Sequence, residues 1–143
     1  NFIGGARYGL VSRGNENKIR DNLIWSATHP HVFLSFGTGL AFNHNLVGNE
    51  TGAAILNQSP GSVLNNNWFV KPTTSPAPYG TNSKEITRVQ VVTYTGVHAN
   101  VLDDTIENLT GAFSQSAQQV HDNPNILYWF SLLDLARANW AAQ

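Results

Sequence analysis

Two imidazoles stand two residues apart at His29-Pro30-His31, and a third follows at His44. On a strand, a spacing of two points both rings to one face. His44 on the next strand would complete three nitrogen ligands with an open fourth position, the arrangement of catalytic zinc. His29, His31 and His44 are therefore the candidate metal ligands; the expectation is a chain without a cofactor, a divalent transition metal such as Zn being the alternative. Two further histidines, His98 and His121, bracket a helical pattern whose polar side holds Asp103, Asp104 and Glu107. A histidine beside a carboxylate can move protons as a general acid or base.

A different chemistry is offered by the amide-rich middle of the chain. Asn43, Asn45, Asn65, Asn66 and Asn67 lie close to Trp68 and Tyr79. Amides hydrogen-bond sugar hydroxyls and a ring covers the apolar face of a pyranose, so Asn43, Asn45, Asn65, Asn66, Trp68 and Tyr79 are the candidate ligand-binding set. The plainer reading is that asparagine-rich turns supply left-handed backbone while Trp68 and Phe69 alternate across a strand. The sequence contains no Gly-x-Ser-x-Gly elbow, no phosphate-binding loop, no His-Glu-x-x-His and no dinucleotide fingerprint.

The elements that would hold these residues belong to a chain of 143 residues in which only 12% are charged and 41% are apolar. Asparagine takes up much of the difference, with 17 copies. Eight basic against nine acidic residues leave no global field for a phosphate backbone, so broad nucleic-acid binding is not expected. The absence of cysteine removes disulfides, thiolate metal sites and cysteine nucleophiles. No run of apolar residues is long enough for a transmembrane span; Ile126 to Ala142 is interrupted by Ser131, Asp134, Arg137 and Asn139. The chain starts at Asn1 rather than Met, and it holds sequons at Asn49, Asn57 and Asn108; both fit an extracellular or secreted protein.

Short apolar and β-branched runs separated by Gly, Asn and Pro read as strands over 3–12, 23–28, 31–36, 40–47, 53–58 and 63–70, with 18–25 open to a short helix. No repeat of fixed period stands out. Pro72, Pro76 and Pro78 make 72–82 a loop. Residues 85–95, rich in Val and Thr, read as the clearest strand. From Val101 to Val120 the spacing of Leu102, Ile106, Leu109, Phe113, Ala117 and Val120 predicts an amphipathic helix with Asn100 as its N-cap. Asn123 caps a second helix that opens on Pro124 and runs to about Ala142. That helix is apolar on more than one face, which calls for a layered core or a second copy of the chain.

The expected fold is one α+β domain over residues 1–143, an antiparallel sheet from the first two thirds with two C-terminal helices packed on it. The expected function is a non-catalytic binding or assembly module for a carbohydrate or protein ligand, homo-oligomeric through the C-terminal helix. The rival is a small hydrolase of phosphodiesters or glycosides that uses histidine and carboxylate, with or without a metal.

Overall fold

The computed structural model describes residues 1–4, 8–25, 32–35, 37–48, 55–70, 80–110 and 116–142. It divides into two compact units, Asn1–Thr87 and Arg88–Gln143.

The first unit is built from eleven strands of three or four residues: β1 (Phe2–Gly4), β2 (Leu10–Arg13), β3 (Lys18–Arg20), β4 (Leu23–Trp25), β5 (Val32–Ser35), β6 (Ala41–Asn43), β7 (Leu46–Gly48), β8 (Ile55–Gln58), β9 (Val63–Asn65), β10 (Trp68–Val70) and β11 (Lys84–Ile86). They form three sheets, ordered β1-β4-β7-β10-β11, β2-β5-β8 and β3-β6-β9. Each strand pairs with the strand one full coil later, as when Phe2 meets Leu23 and Leu23 meets Leu46. The chain thus winds as a β-solenoid with one strand of each sheet per coil.

Every pairing among the described strands is parallel, so the antiparallel sheet expected from the sequence is overturned. An antiparallel pair needs a turn that reverses the chain. Here the bends redirect the chain into the next sheet, and partners lie a coil apart. Two of the expected strands, 40–47 and 63–70, each contain such a bend and are two strands in two different sheets. The segment 18–25 is likewise β3 and β4, not a helix. A repeat does exist, in the positions that bend. Non-glycine residues with positive φ recur at Asp21, His44, Asn66 and Asn82, all between 54° and 58°. A second bend repeats at Glu16, Gly39 and Gly61, with φ of 56°, 67° and 71°. A left-handed residue without glycine costs roughly 1–2 kcal/mol, least for Asn and Asp.

Side chains from successive coils stack inside. Ile24, Val47 and Phe69 come from the first sheet, Val32, Leu34 and Ile55 from the second, and Phe42 and Leu64 from the third; all are buried in one cluster. The five-stranded sheet is buried on both faces through its centre, where Leu23, Trp25, Leu46, Trp68 and Val70 alternate with the inward residues. Parallel strands covered on both sides read as unbroken apolar runs rather than as alternation. Gly48 fits this layer because the Trp25 ring lies across it; a Cβ there would stand 2.5 Å from Trp25 Cζ3 and 2.8 Å from Val70 Cγ2.

Charge lies at the ends of the solenoid, in the first coil and, as Lys84 and Glu85, on the last strand β11. Arg13, Glu16, Lys18, Arg20 and Asp21 fall in the first coil, whereas Glu50 is the one charged residue in the sequence from Asn22 to Val70. Strands β2 and β3 each pair on one side only, so Arg13, Lys18 and Arg20 lie on open strand edges.

The second unit is helical: α1 (Val91–Thr95), α2 (Ala99–Thr110), α3 (Ala117–Asp122) and α4 (Pro124–Ala141). The expected strand 85–95 survives only as β11, and Val91–Thr95 is a helix instead. β-branched residues fit a strand only where a neighbouring strand gives them a surface to pack on, so context overrode propensity. The helix expected over 101–120 begins earlier, with the His98 carbonyl accepting from the N–H groups of Val101 (3.0 Å) and Leu102 (3.3 Å), so Asn100 lies within its first turn. It is also interrupted. Ser116 and Gln119 form a reciprocal capping box that starts α3 anew: Ser116 N–H donates to Gln119 Oε1 at 2.9 Å, and Gln119 N–H to Ser116 Oγ at 3.3 Å. Asn123 caps α4 by accepting from Asn125 N–H at 2.8 Å, with Pro124 in the first turn as expected. α4 packs against α1, α2 and α3 through Ile126, Leu132, Ala136 and Trp140.

Candidate binding face

The tripeptide Asn65-Asn66-Asn67 shows how the solenoid assigns one residue type to three tasks. Asn65 ends β9, Asn66 is the left-handed bend, and Asn67 turns into the interior. One coil earlier the same three positions are Asn43, His44 and Asn45, and before that Arg20, Asp21 and Asn22.

The interior positions form an asparagine ladder. Asn45 Oδ1 accepts from Asn22 N–H at 3.1 Å and from its Nδ2 at 2.9 Å. Asn67 Oδ1 accepts the corresponding pair from Asn45 at 2.9 and 3.2 Å. Asn1 Nδ2 extends the ladder at one end by donating to Asn22 Oδ1 at 3.0 Å, and Ser83 Oγ closes the other by accepting from Asn67 N–H at 3.2 Å. The remaining Nδ2 protons go to main-chain carbonyls, Ile19 and Asn43 for Asn45 and Phe42 for Asn67. The bend exposes backbone N–H groups to the core, and the side chain of the next coil satisfies them. Asn45 and Asn67 are wholly buried and fully engaged; they hold the solenoid together and offer a ligand nothing.

The outward positions differ. Asn43 Oδ1 accepts from Asn65 N–H at 3.1 Å, and Asn65 Oδ1 accepts from Thr81 N–H at 3.2 Å. Both residues are half-buried, and among the described residues neither amide nitrogen is engaged by the protein. The carbonyl ends fix the orientation of two in-register amides on neighbouring strands, and the donor ends stay available. Asn66, half-buried, and His44, exposed, flank them on the bend. Beyond them lie Arg20 and Asp21, an exposed pair at 3.7 Å.

Of the six candidate ligand-binding residues, Asn43, Asn65 and Asn66 thus share one face. Asn45 is in the ladder, Trp68 is buried in the five-stranded sheet, and Tyr79 lies outside the described residues. His29 and His31 of the candidate metal set also lie outside the described residues, while His44 occupies its bend. Among the described residues no three His, Cys, Asp or Glu side chains are grouped to hold a metal ion.

The histidine and carboxylate pairs resolve in two ways. His98, exposed at the start of α2, lines a cleft of about 400 Å³ with Arg88, Val89, Val92, Ala99 and Asn100. Arg88, which sequence reading did not single out, forms an ion pair with Asp103. His121 Nδ1 lies 3.0 Å from its neighbour Asp122 on the surface. The hydrogen bond from Gln118 Nε2, then that from His121, holds the Asp122 carboxyl below the usual carboxylate range. A second cleft of about 330 Å³ sits on the open first coil, lined by Leu10 to Arg13 and Asn17 to Ile19. Among the described residues no helix is long and apolar enough to cross a membrane.

No family model matches this sequence, and no characterised protein or solved structure matches it either.

Proposed function

We propose that the protein is a non-catalytic, extracellular binding module whose β3-β6-β9 face takes a linear carbohydrate, and that it works as an oligomer through α4. The observation that carries the reading is the pair Asn43 and Asn65, in register on adjacent strands with both amide donors unspent. Adjacent strands lie about 4.8 Å apart, so a chain-like ligand running across the coils meets an equivalent donor once per coil. A linear glycan, which repeats its hydroxyls ring after ring, is such a ligand. The hydrolase alternative, built on His29, His31 or His44 with a carboxylate, has less behind it: His29 and His31 lie outside the described residues, and among those described no three His, Cys, Asp or Glu side chains are grouped around His44.

The test is an array of soluble linear polysaccharides followed by calorimetry on the strongest hit. The variant is Asn43→Asp/Asn65→Asp, which keeps each acceptor oxygen for the neighbouring N–H, turns both donors into acceptors and adds two negative charges, so the hit carried forward is an uncharged polysaccharide. Loss of two donors weakens binding by tenfold or more at unchanged helix and strand content. Unchanged affinity in the variant removes this face from the reading, and failure of the wild type to bind any polysaccharide removes the reading.

A further inference from the structure

The sheet that carries Asn43 and Asn65 has a third strand, β3, whose outward residues are cations. In β3, β6 and β9 the middle residues Ile19, Phe42 and Leu64 turn toward the core, so Lys18, Ala41 and Val63 form one outward row across the sheet and Arg20, Asn43 and Asn65 form the other. Lys18, Arg20 and Val63 are exposed, and Ala41, Asn43 and Asn65 are half-buried. The two cations stand two residues apart on one side of their strand, a separation of roughly 6.5 Å along the backbone.

The protein leaves most of their hydrogen-bonding capacity unspent. Among the described residues the Lys18 side chain has no partner, and the Arg20 side chain has only Asp21, whose Oδ2 lies 3.7 Å from its Nε. The terminal N–H groups of the guanidinium are therefore open. Glu16, on the bend that precedes β3, pairs with neither cation.

We propose that the polysaccharide held on this face is acidic, a linear uronate chain that crosses the three strands and sets a carboxylate between Lys18 and Arg20; the proposal rests on the carbohydrate reading and names the class of its ligand. The hydroxyl oxygens that follow along the chain accept from the Asn43 and Asn65 amides, and the apolar side of the rings lies on Ala41 and Val63. A guanidinium presents parallel N–H groups that match the two oxygens of a carboxylate, and such a charge-assisted hydrogen bond is roughly twice as strong as a neutral one.

Polyglucuronate and its methyl ester share one chain and differ in charge, so calorimetry of the full-length chain with each isolates the carboxylate. The acid should bind about tenfold more tightly than the ester at low ionic strength, and added salt should shrink the difference because exposed charges are screened. Lys18→Gln/Arg20→Gln should bring the acid down to the affinity of the ester at unchanged strand and helix content. Asp21→Asn, which the left-handed bend accepts, frees Arg20 of its anion and should tighten binding of the acid. Arg137→Gln, on α4, should change nothing. Equal binding of acid and ester, or a double variant that keeps the preference, overturns the acidic ligand and leaves the carbohydrate reading standing. Loss of the preference in Arg137→Gln as well marks general attraction to a polyanion and overturns the site. Dextran sulfate that exceeds dextran by more than the acid exceeds its ester overturns the carboxylate in favour of a sulfate. Binding of neither uronate form overturns the inference, and the polysaccharide array then decides the carbohydrate reading by itself.

Discussion

Asn45 Oδ1 receives both the backbone N–H and the side-chain amide of Asn22, a residue 23 positions earlier in the chain. The contact joins two coils in the interior, where an N–H left without an acceptor costs about 1–3 kcal/mol. Asn45→Ala strands two donors of Asn22 and should lower unfolding stability by about 2–4 kcal/mol, read from urea denaturation.

Asn45→Asp separates size from charge. It retains the acceptor but sets a carboxylate oxygen where Nδ2 now donates to the Ile19 and Asn43 carbonyls. Burial and those carbonyls raise the folded-state pKa of the new acid above its unfolded value. The folded state then binds the proton more tightly, so this variant should gain stability as pH falls from 7 to 5. A variant with flat stability over that range would contradict the ladder as described.

Gly48→Ala tests the layer outside the ladder. The added methyl meets Trp25, which is wholly buried and cannot turn away. Overpacking of this kind costs about 1–3 kcal/mol, and the Trp25 fluorescence environment should change with it.

The charged first coil predicts a change in association. Open strand edges invite pairing with another chain, and charged side chains along them oppose it. Arg13→Ser/Lys18→Ala/Arg20→Asn replaces three edge charges with the residues that occupy the same register one coil later, Ser35, Ala41 and Asn43. Light scattering should show end-to-end association beyond that of the wild type. Identical masses for the two proteins would mean that these charges do not protect the edge.

Asp122 gives a titration with a definite sign. Its pKa is lowered first by the Gln118 hydrogen bond, so Gln118→Ala should move it up toward the ordinary carboxylate value in an NMR titration. A group depressed in the folded state contributes stability above its unfolded pKa and loses it as pH falls through the folded one. The local helix α3 should therefore fray at lower pH in the wild type than in the variant.

The sequence by itself determined the local chemistry. Asn123 and Pro124 mark the start of α4 because capping involves only the next few residues. A strand-rich first part and a helical second part were likewise legible, since the period changes at Val101, although the helical part already begins at Val91, inside the expected strand 85–95. The Ser116 to Gln119 capping box was there to be read, but the continuing apolar period of the preceding residues masked it. Tertiary structure alone decided which strands pair and in which direction. A three-residue strand is too short to carry a period, and its partners lie 16 to 23 residues away, beyond the reach of local pattern. The asparagines make the same point at single-residue resolution. Asn65 and Asn67 are chemically identical neighbours two positions apart, yet one faces outward with a free amide donor and the other is locked in the core. What separates them is the left-handed bend at Asn66, whose meaning depends on the coils stacked on either side of it.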